Sequence, residues 1–227
     1  VVAFAVLAIF VPGDVGRDDK PVPLRDELAV IARPQVQLGL AMTVLGFAGL
    51  FTVFTYIQPI LTGITGFSKG AVSPVLLVFG AGLSIGNIAG GRLADRGLAR
   101  ALIGTLVGLV VVLVMLAPAL PAAVPAVLLV GLLGVAAFAT VAPLQLRVLE
   151  KAGTAGQSLA SSLNIAAFNL GNALGAWIGG VTIDYGPGLG ALPLVAAAVT
   201  TLGLGIALWS LRLDRALVPP SANPAIS

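Results

Sequence analysis

The sequence predicts an all-α membrane protein: a bundle of six transmembrane helices, built as two inverted three-helix repeats and preceded by the end of a seventh helix. Three observations carry this reading. Charged residues make up only 9% of the 227-residue chain and hydrophobic residues 58%, against roughly 25% charged in soluble domains, which leaves too little polar surface for a water-soluble fold. Apolar runs of about 17–25 residues, the length that crosses a hydrocarbon core, recur along the chain. Finally, Gly-Asn followed by Gly-Gly-x-x-x-Asp-x-Gly stands at Gly86–Gly97 and again, in altered form, at Gly171–Gly186, and each copy closes an apolar run.

Val1–Val11 is wholly apolar, too short to span, and lacks the basic start of a signal peptide, so it reads as the end of a truncated transmembrane helix. Pro12–Pro34 holds five acidic and four basic residues and four prolines; it is expected to be a cytoplasmic linker. Within it, Leu24, Leu28 and Ile31 have the spacing of a short helix lying on the membrane surface. Six spans are expected at Gln35–Ile57, Ala71–Gly91, Ala101–Ala117, Val124–Leu146, Leu159–Ile183 and Leu189–Leu211. They form a bundle over residues 35–215, with triplets at 35–117 and 124–211 and a disordered tail at 216–227. No charged residue falls inside any of these spans, in keeping with the roughly 2.5–3.5 kcal/mol that Asp, Lys or Arg costs at a helix centre.

Eleven of the twelve basic residues fall in alternate connections: Arg17, Lys20, Arg25 and Arg33 before the first span, Arg92, Arg96 and Arg100 after the second, Arg147 and Lys151 after the fourth, Arg212 and Arg215 after the sixth. Only Lys69 lies in the other set. This asymmetry predicts a multi-pass inner-membrane protein with those connections and the C-terminus in the cytoplasm. Tyr56 and Tyr185 then lie near outer ends and Trp209 near an inner end, where aromatic anchors are expected. Asp95 faces the cytoplasm and Asp184 the exterior, so the repeat marks the middle helices of two oppositely oriented triplets.

Cysteine and histidine are both absent. Disulfides, thiolate chemistry, haem ligation and histidine-based metal sites are excluded, and no nucleophile–base pair is readable. The chain is therefore not expected to be an enzyme or to carry a cofactor or metal. A net charge of +3 spread over short connections gives no reason to expect nucleic acid as a partner. The expected partners are the lipid bilayer and a small-molecule solute.

Several faces inside the spans are candidates for more than packing. Gly171, Gly175 and Gly179 recur every four residues, which suits close helix approach and also a sliding surface. Asn164, Phe168 and Asn172, following Ser161, share a neighbouring face; buried amides must find partners or line a wet cavity. Thr43, Phe47, Phe51 and Thr55 form a mixed aromatic and hydroxyl stripe on the first span, suited to an amphipathic solute or to ordinary packing. Pro143 removes the bond to Ala139 and should kink the fourth span beside Thr140 and Gln145.

Gly91-Arg-Leu-Ala-Asp95-Arg96, between the second and third spans, resembles the cytoplasmic motif of the major facilitator superfamily, and Asp26-Glu-Leu-Ala-Val-Ile-Ala-Arg-Pro34 resembles the central loop of such proteins. Tyr56-Ile-Gln-Pro-Ile-Leu61 and Phe168-Asn-Leu-Gly-Asn-Ala-Leu-Gly-Ala-Trp177 are similar to the drug:proton antiporter family with 12 spans, in its arabinose-efflux and chloramphenicol-resistance branch. The resemblance implies that the six spans are helices seven to twelve of an alternating-access efflux transporter. Solute would bind between them and an N-terminal six-helix half. Any carboxylate that takes up a coupling proton would lie in that half. Gly91, Asp95, Arg96 and Arg100 would form a conformational latch; a tight turn carrying ordinary topogenic charge is the alternative. The motif departs from its pattern after Arg96, because Gly97-Leu-Ala-Arg100 brings the glycine one place early and lacks one base. A non-transporting membrane module or a degenerate transporter fragment is the competing reading of the whole chain.

Overall fold

The computed structural model describes residues 29–217. The apolar stub, most of the linker including Leu24 and Leu28, and the tail beyond Leu217 lie outside the described residues. Residues 29–31, with Ile31, are helical. The helices that follow are α1 (Pro34–Phe54), α2 (Ile57–Gly63), α3 (Lys69–Arg96), α4 (Leu98–Ala119), α5 (Ala123–Ala139), α6 (Val141–Ala152), α7 (Gln157–Tyr185) and α8 (Leu192–Leu217). Among the described residues there are no strands.

Proline sets two interruptions. Pro143 cannot donate to Ala139, and the helix breaks one residue later, at Thr140, whose hydroxyl donates to the Ala137 carbonyl at 2.6 Å. The expected fourth span is thus two helices, α5 and α6. Pro59 does the same for Thr55, where the chain turns between α1 and α2. The first expected span, Gln35–Ile57, therefore runs on through α2 to Gly63. Both broken helices open a triplet, and both break toward their C-terminal ends.

Among the described residues five segments are long and apolar enough to cross a membrane: Pro34–Gly63, Lys69–Arg96, Leu98–Ala119, Ala123–Ala152 and Leu189–Ala216. The 29-residue α7 is not among them because it carries Ser158, Ser161, Ser162, Asn164, Asn169 and Asn172. It is long enough, at about 43 Å, and it packs along its length against α1.

Three boundaries differ from the sequence expectation. Arg92, Asp95 and Arg96 belong to the last turns of α3, not to a loop. The connection to α4 is Gly97 alone, at φ 157°. That positive φ strains any residue with a Cβ, which accounts for a glycine at this place in the motif. Ala216 and Leu217, assigned to a disordered tail, complete α8.

Backbone-close seams hold the bundle together. α7 lies against α1 and α3 against α5, so the middle helix of each triplet packs on the first helix of the other. Gly171, Gly175 and Gly179 sit beneath the carbonyls of Val44, Ala48 and Thr52 on α1. Gly82, Gly86 and Gly90 sit in the same way beneath those of Gly131, Val135 and Ala139 on α5. The repeated Gly-Asn strings are therefore the two seams. Gly49 and Gly203 let α8 onto the opposite side of α1, and α4 closes the bundle against α8 and α5. Leucines of α4, among them Leu106, Leu109 and Leu113, fill the space between and are fully buried.

A side chain at a seam must overlap backbone. Gly86→Leu should destabilise the bundle by about 1–3 kcal/mol or more. Gly108→Leu, at a site where a Cβ meets nothing within 4 Å, should stay within about 0.5 kcal/mol. Thermal unfolding in lipid nanodiscs measures both.

Candidate functional site

The seams bring three of the predicted polar residues into one chain of hydrogen bonds. The Thr43 hydroxyl donates to Asn164 Oδ1 at 2.8 Å, Asn164 Nδ2 to Gln145 Oε1 at 2.6 Å, and Gln145 Nε2 to Ser161 Oγ at 3.0 Å. This rail joins α1, α7 and α6. Thr43 and Asn164 have no exposed surface, whereas Gln145 and Ser161 are half-buried. The Pro143 break sets the rail's position, because α6 starts afresh after it and presents Gln145 to α7.

An aromatic layer lies next to the rail. Phe47 meets Phe168 edge-on with ring centroids 4.3 Å apart, stacks on Phe51 at 6.3 Å, and faces Phe138 at 6.3 Å. Phe79 stacks on Phe54 at 4.5 Å and meets Phe138. Asn172, one turn beyond Phe168, is half-buried, and its Oδ1 is buried with no hydrogen-bond partner among the described residues.

The remaining predicted cavity residues stand apart from this cluster. Thr140 is buried but bonded within its own helix, and Thr55 is exposed at the α1–α2 break. Tyr56, expected as an interfacial anchor, is an interhelical strut: its hydroxyl donates to the Ala176 carbonyl at 2.8 Å and its ring covers Gly179. Tyr185 and Trp209 are exposed, as anchors require.

At the latch, Asp95, Arg96 and Arg100 are exposed and Gly91 is half-buried. Arg100 turns back toward the Arg96 carbonyl at 3.4 Å. Among the described residues no ion pair involves Asp95.

A second polar cluster was not anticipated. Arg147, expected in a loop, lies in α6 and is only 3% exposed. Its Nη2 sits 2.7 Å from Asp214 Oδ2 and donates to Ser210 Oγ at 2.7 Å. Ser210 donates to Gln35 Oε1 at 2.6 Å, and Lys151 Nζ lies 3.0 Å from Asp214 Oδ1. Arg33 donates to the Ala152 carbonyl at 3.1 Å, closing the C-terminus of α6. These contacts gather the basic ends of α1, α6 and α8 at one end of the bundle. The sequence held a signal for the cluster: Arg147 and Lys151 share a helix face at i, i+4, and Asp214 is a lone acid between Arg212 and Arg215.

A bundle of broken, glycine-seamed membrane helices with a polar interior rail is the architecture of a multi-pass transporter. The family model described as Major Facilitator Superfamily matches residues 1–158, and the chain belongs to that superfamily. It is 43% identical over 189 residues to the inner membrane transport protein YdhP of Escherichia coli K12, covering 83% of this chain and 48% of that protein. It is 34% identical to the MFS-type transporter YtbD of Bacillus subtilis, covering 88% and 52%. It is also 34% identical to a chloramphenicol resistance protein of Streptomyces lividans, covering 73% and 42%. The chain spans about half the length of the curated relatives it matches. Family and relatives alike point to a transporter, not an enzyme.

The Arg147 cluster generates a stability prediction. Removing one partner of a fully buried ion pair costs about 3–5 kcal/mol, but the Asp214 side chain is 25% exposed. Asp214→Asn should therefore cost about 2 kcal/mol, and Arg147→Met/Asp214→Asn should recover part of it. A double-mutant cycle of thermal unfolding measures this.

Proposed function

We propose that the chain supplies the C-terminal half of an alternating-access exporter of a small organic solute, with its basic connections and C-terminus in the cytoplasm. The observation that carries the reading is the Thr43–Asn164–Gln145–Ser161 rail with its aromatic flank and the unpartnered Asn172 acceptor. Interhelical hydrogen bonds in membranes average only about 0.6 kcal/mol, so stability alone is a weak reason to place three amides in one bundle interior. A solute with a donor group and an apolar body would meet Asn172 and the Phe47, Phe51 and Phe168 rings. Efflux is favoured by the likeness to a chloramphenicol resistance protein, and an N-terminal half by relatives about twice as long.

On this reading the buried hydrogen bonds of the rail must exchange partners as the bundle rocks, with the glycine seams as fixed axes. The spans expected from sequence carry no acid, and Asp95, Asp184 and Asp214 all lie at helix ends. A coupling proton would therefore be taken up by the N-terminal half. Asp95 with Arg96 and Arg100 would latch this half to the other at the cytoplasmic end. The excess of basic residues at that end supports the orientation.

The test is counterflow of radiolabelled chloramphenicol in proteoliposomes, using a full-length protein that contains this chain. Asn172→Leu should raise the apparent KM about fivefold, the equivalent of about 1 kcal/mol, with little change in maximal rate. Asp95→Asn should lower the rate while leaving insertion intact. This chain by itself should show no counterflow. Transport by the chain alone, or wild-type kinetics in both variants, would contradict the proposal.

A further inference from the structure

Two adjoining grooves at the basic end belong neither to the rail nor to the Arg147 cluster. One, of about 550 Å³, lies between α4 and α8 and is lined by Arg100, Arg212 and Arg215 above Ile103, Leu208 and Leu211. The other, of about 410 Å³, shares Arg100 and Gly104 with it and adds Arg96. We propose that the α4–α8 groove is a binding site for one anionic phospholipid, its phosphate held by the arginines and its upper acyl chain laid along the apolar floor.

The vertical order of the lining carries the proposal. α4 begins at the basic end, so Arg100 lies at the rim while Ile103 and Gly104 lie about a turn deeper. α8 ends there, so Arg212 and Arg215 lie at the rim and Leu208 a turn deeper. Leu208, Leu211, Arg212 and Arg215 stand at i, i+3, i+4 and i+7, on one face. Both walls thus run from apolar to cationic toward the membrane surface, as a phospholipid runs from acyl chain to phosphate.

Charge complementarity selects an anion. Guanidinium groups match phosphate oxygens in pairs, and basic pockets between membrane helices are suited to anionic headgroups. Asp214, the acid between Arg212 and Arg215, is turned to Arg147 and Lys151, and Asp95, the acid nearest Arg100 in sequence, makes no ion pair among the described residues. Among the described residues no carboxylate lies within ion-pair distance of Arg100, Arg212 or Arg215. Gly104 leaves the floor open, since a Cβ there would meet nothing within 4 Å. The proposal stands on this groove alone and does not depend on transport.

The purified 227-residue chain in maltoside micelles is titrated with phosphatidylglycerol, phosphatidylcholine or soluble glycerol phosphate, and bound lipid is counted by native mass spectrometry. One phosphatidylglycerol per chain should be retained, phosphatidylcholine should not, and glycerol phosphate should not compete. Arg212→Gln/Arg215→Gln should weaken retention roughly 25-fold, about fivefold per arginine. Gly104→Leu, which keeps every charge, should weaken it about tenfold by filling the floor. The arginines are exposed and Gly104 faces open space, so both variants should keep the parent's helical content and unfolding temperature; if one does not, the other decides. Equal retention of the two lipids, or retention unmoved by the variants, overturns the proposal. Displacement by glycerol phosphate also overturns it, assigning the groove to a soluble anion.

Discussion

Close approach of helix backbones is the constraint on which the rest of this bundle depends. Inside hydrocarbon, apolar side chains gain little by leaving lipid for one another, so helices associate through packing and hydrogen bonds. Glycine at every fourth position lets a whole helix face drop onto its neighbour. Here Gly171, Gly175 and Gly179 do so on α1, and Gly82, Gly86 and Gly90 do so on α5. The two seams pair the middle helix of each triplet with the first helix of the other. Two contacts of functional interest follow directly from that exchange. Asn164 reaches Thr43 only because α7 is seated on α1, and Phe79 reaches Phe138 only because α3 is seated on α5.

The polar groups divide by depth. In the interior the side chains are neutral and bonded to one another along the rail or, like Thr52, Thr105 and Thr200, to carbonyls of their own helices, so burying them carries no ionic desolvation cost. At the basic end the groups are charged, and the buried Arg147 is partnered by Asp214 and Ser210 near the end of α8, with Lys151 on the other oxygen of Asp214. Such a pair contributes modestly to stability, but its loss leaves a buried guanidinium without its partner. It ties α6 to α8, and through Ser210 and Gln35 to α1. The proline breaks complement this arrangement. Each frees backbone bonds near the end of a helix, so α2 and α6 are short segments hinged on longer ones.

The class of fold was legible because the solvent dictates it: so few charges leave only a membrane bundle. The α7 seam was legible too, since Gly171, Gly175 and Gly179 stand at i, i+4 and i+8, whereas the α3 seam was not read as packing: its Gly82 precedes the repeated string, and the string's charged end drew the reading to its turn. Helix ends were less legible, because hydropathy falls before the helix does; α3 continues through Arg92, Asp95 and Arg96 to Gly97. The buried Arg147 was hidden for the same reason. A base just past an apolar run reads as a loop charge until Asp214, 67 positions away, is brought against it. Tyr56 was misassigned because aromatic residues near span ends serve as anchors or as struts, and only Ala176 across the seam decides which. Thr43, Gln145 and Asn164 were each candidates, yet their mutual bonding depends on three helices meeting and could not be read from spacing on any one of them.

The cysteine-free chain allows a direct measurement of the central claim, disulfide cross-linking of paired cysteines in membranes. Thr43→Cys/Asn164→Cys reports the α1–α7 seam, and Val78→Cys/Gly131→Cys the α3–α5 seam, where a Cβ on Gly131 would lie 2.9 Å from Val78 Cγ1. Both pairs should cross-link readily on mild oxidation. Absence of both cross-links in inserted, helical protein would contradict the exchange of helices between triplets.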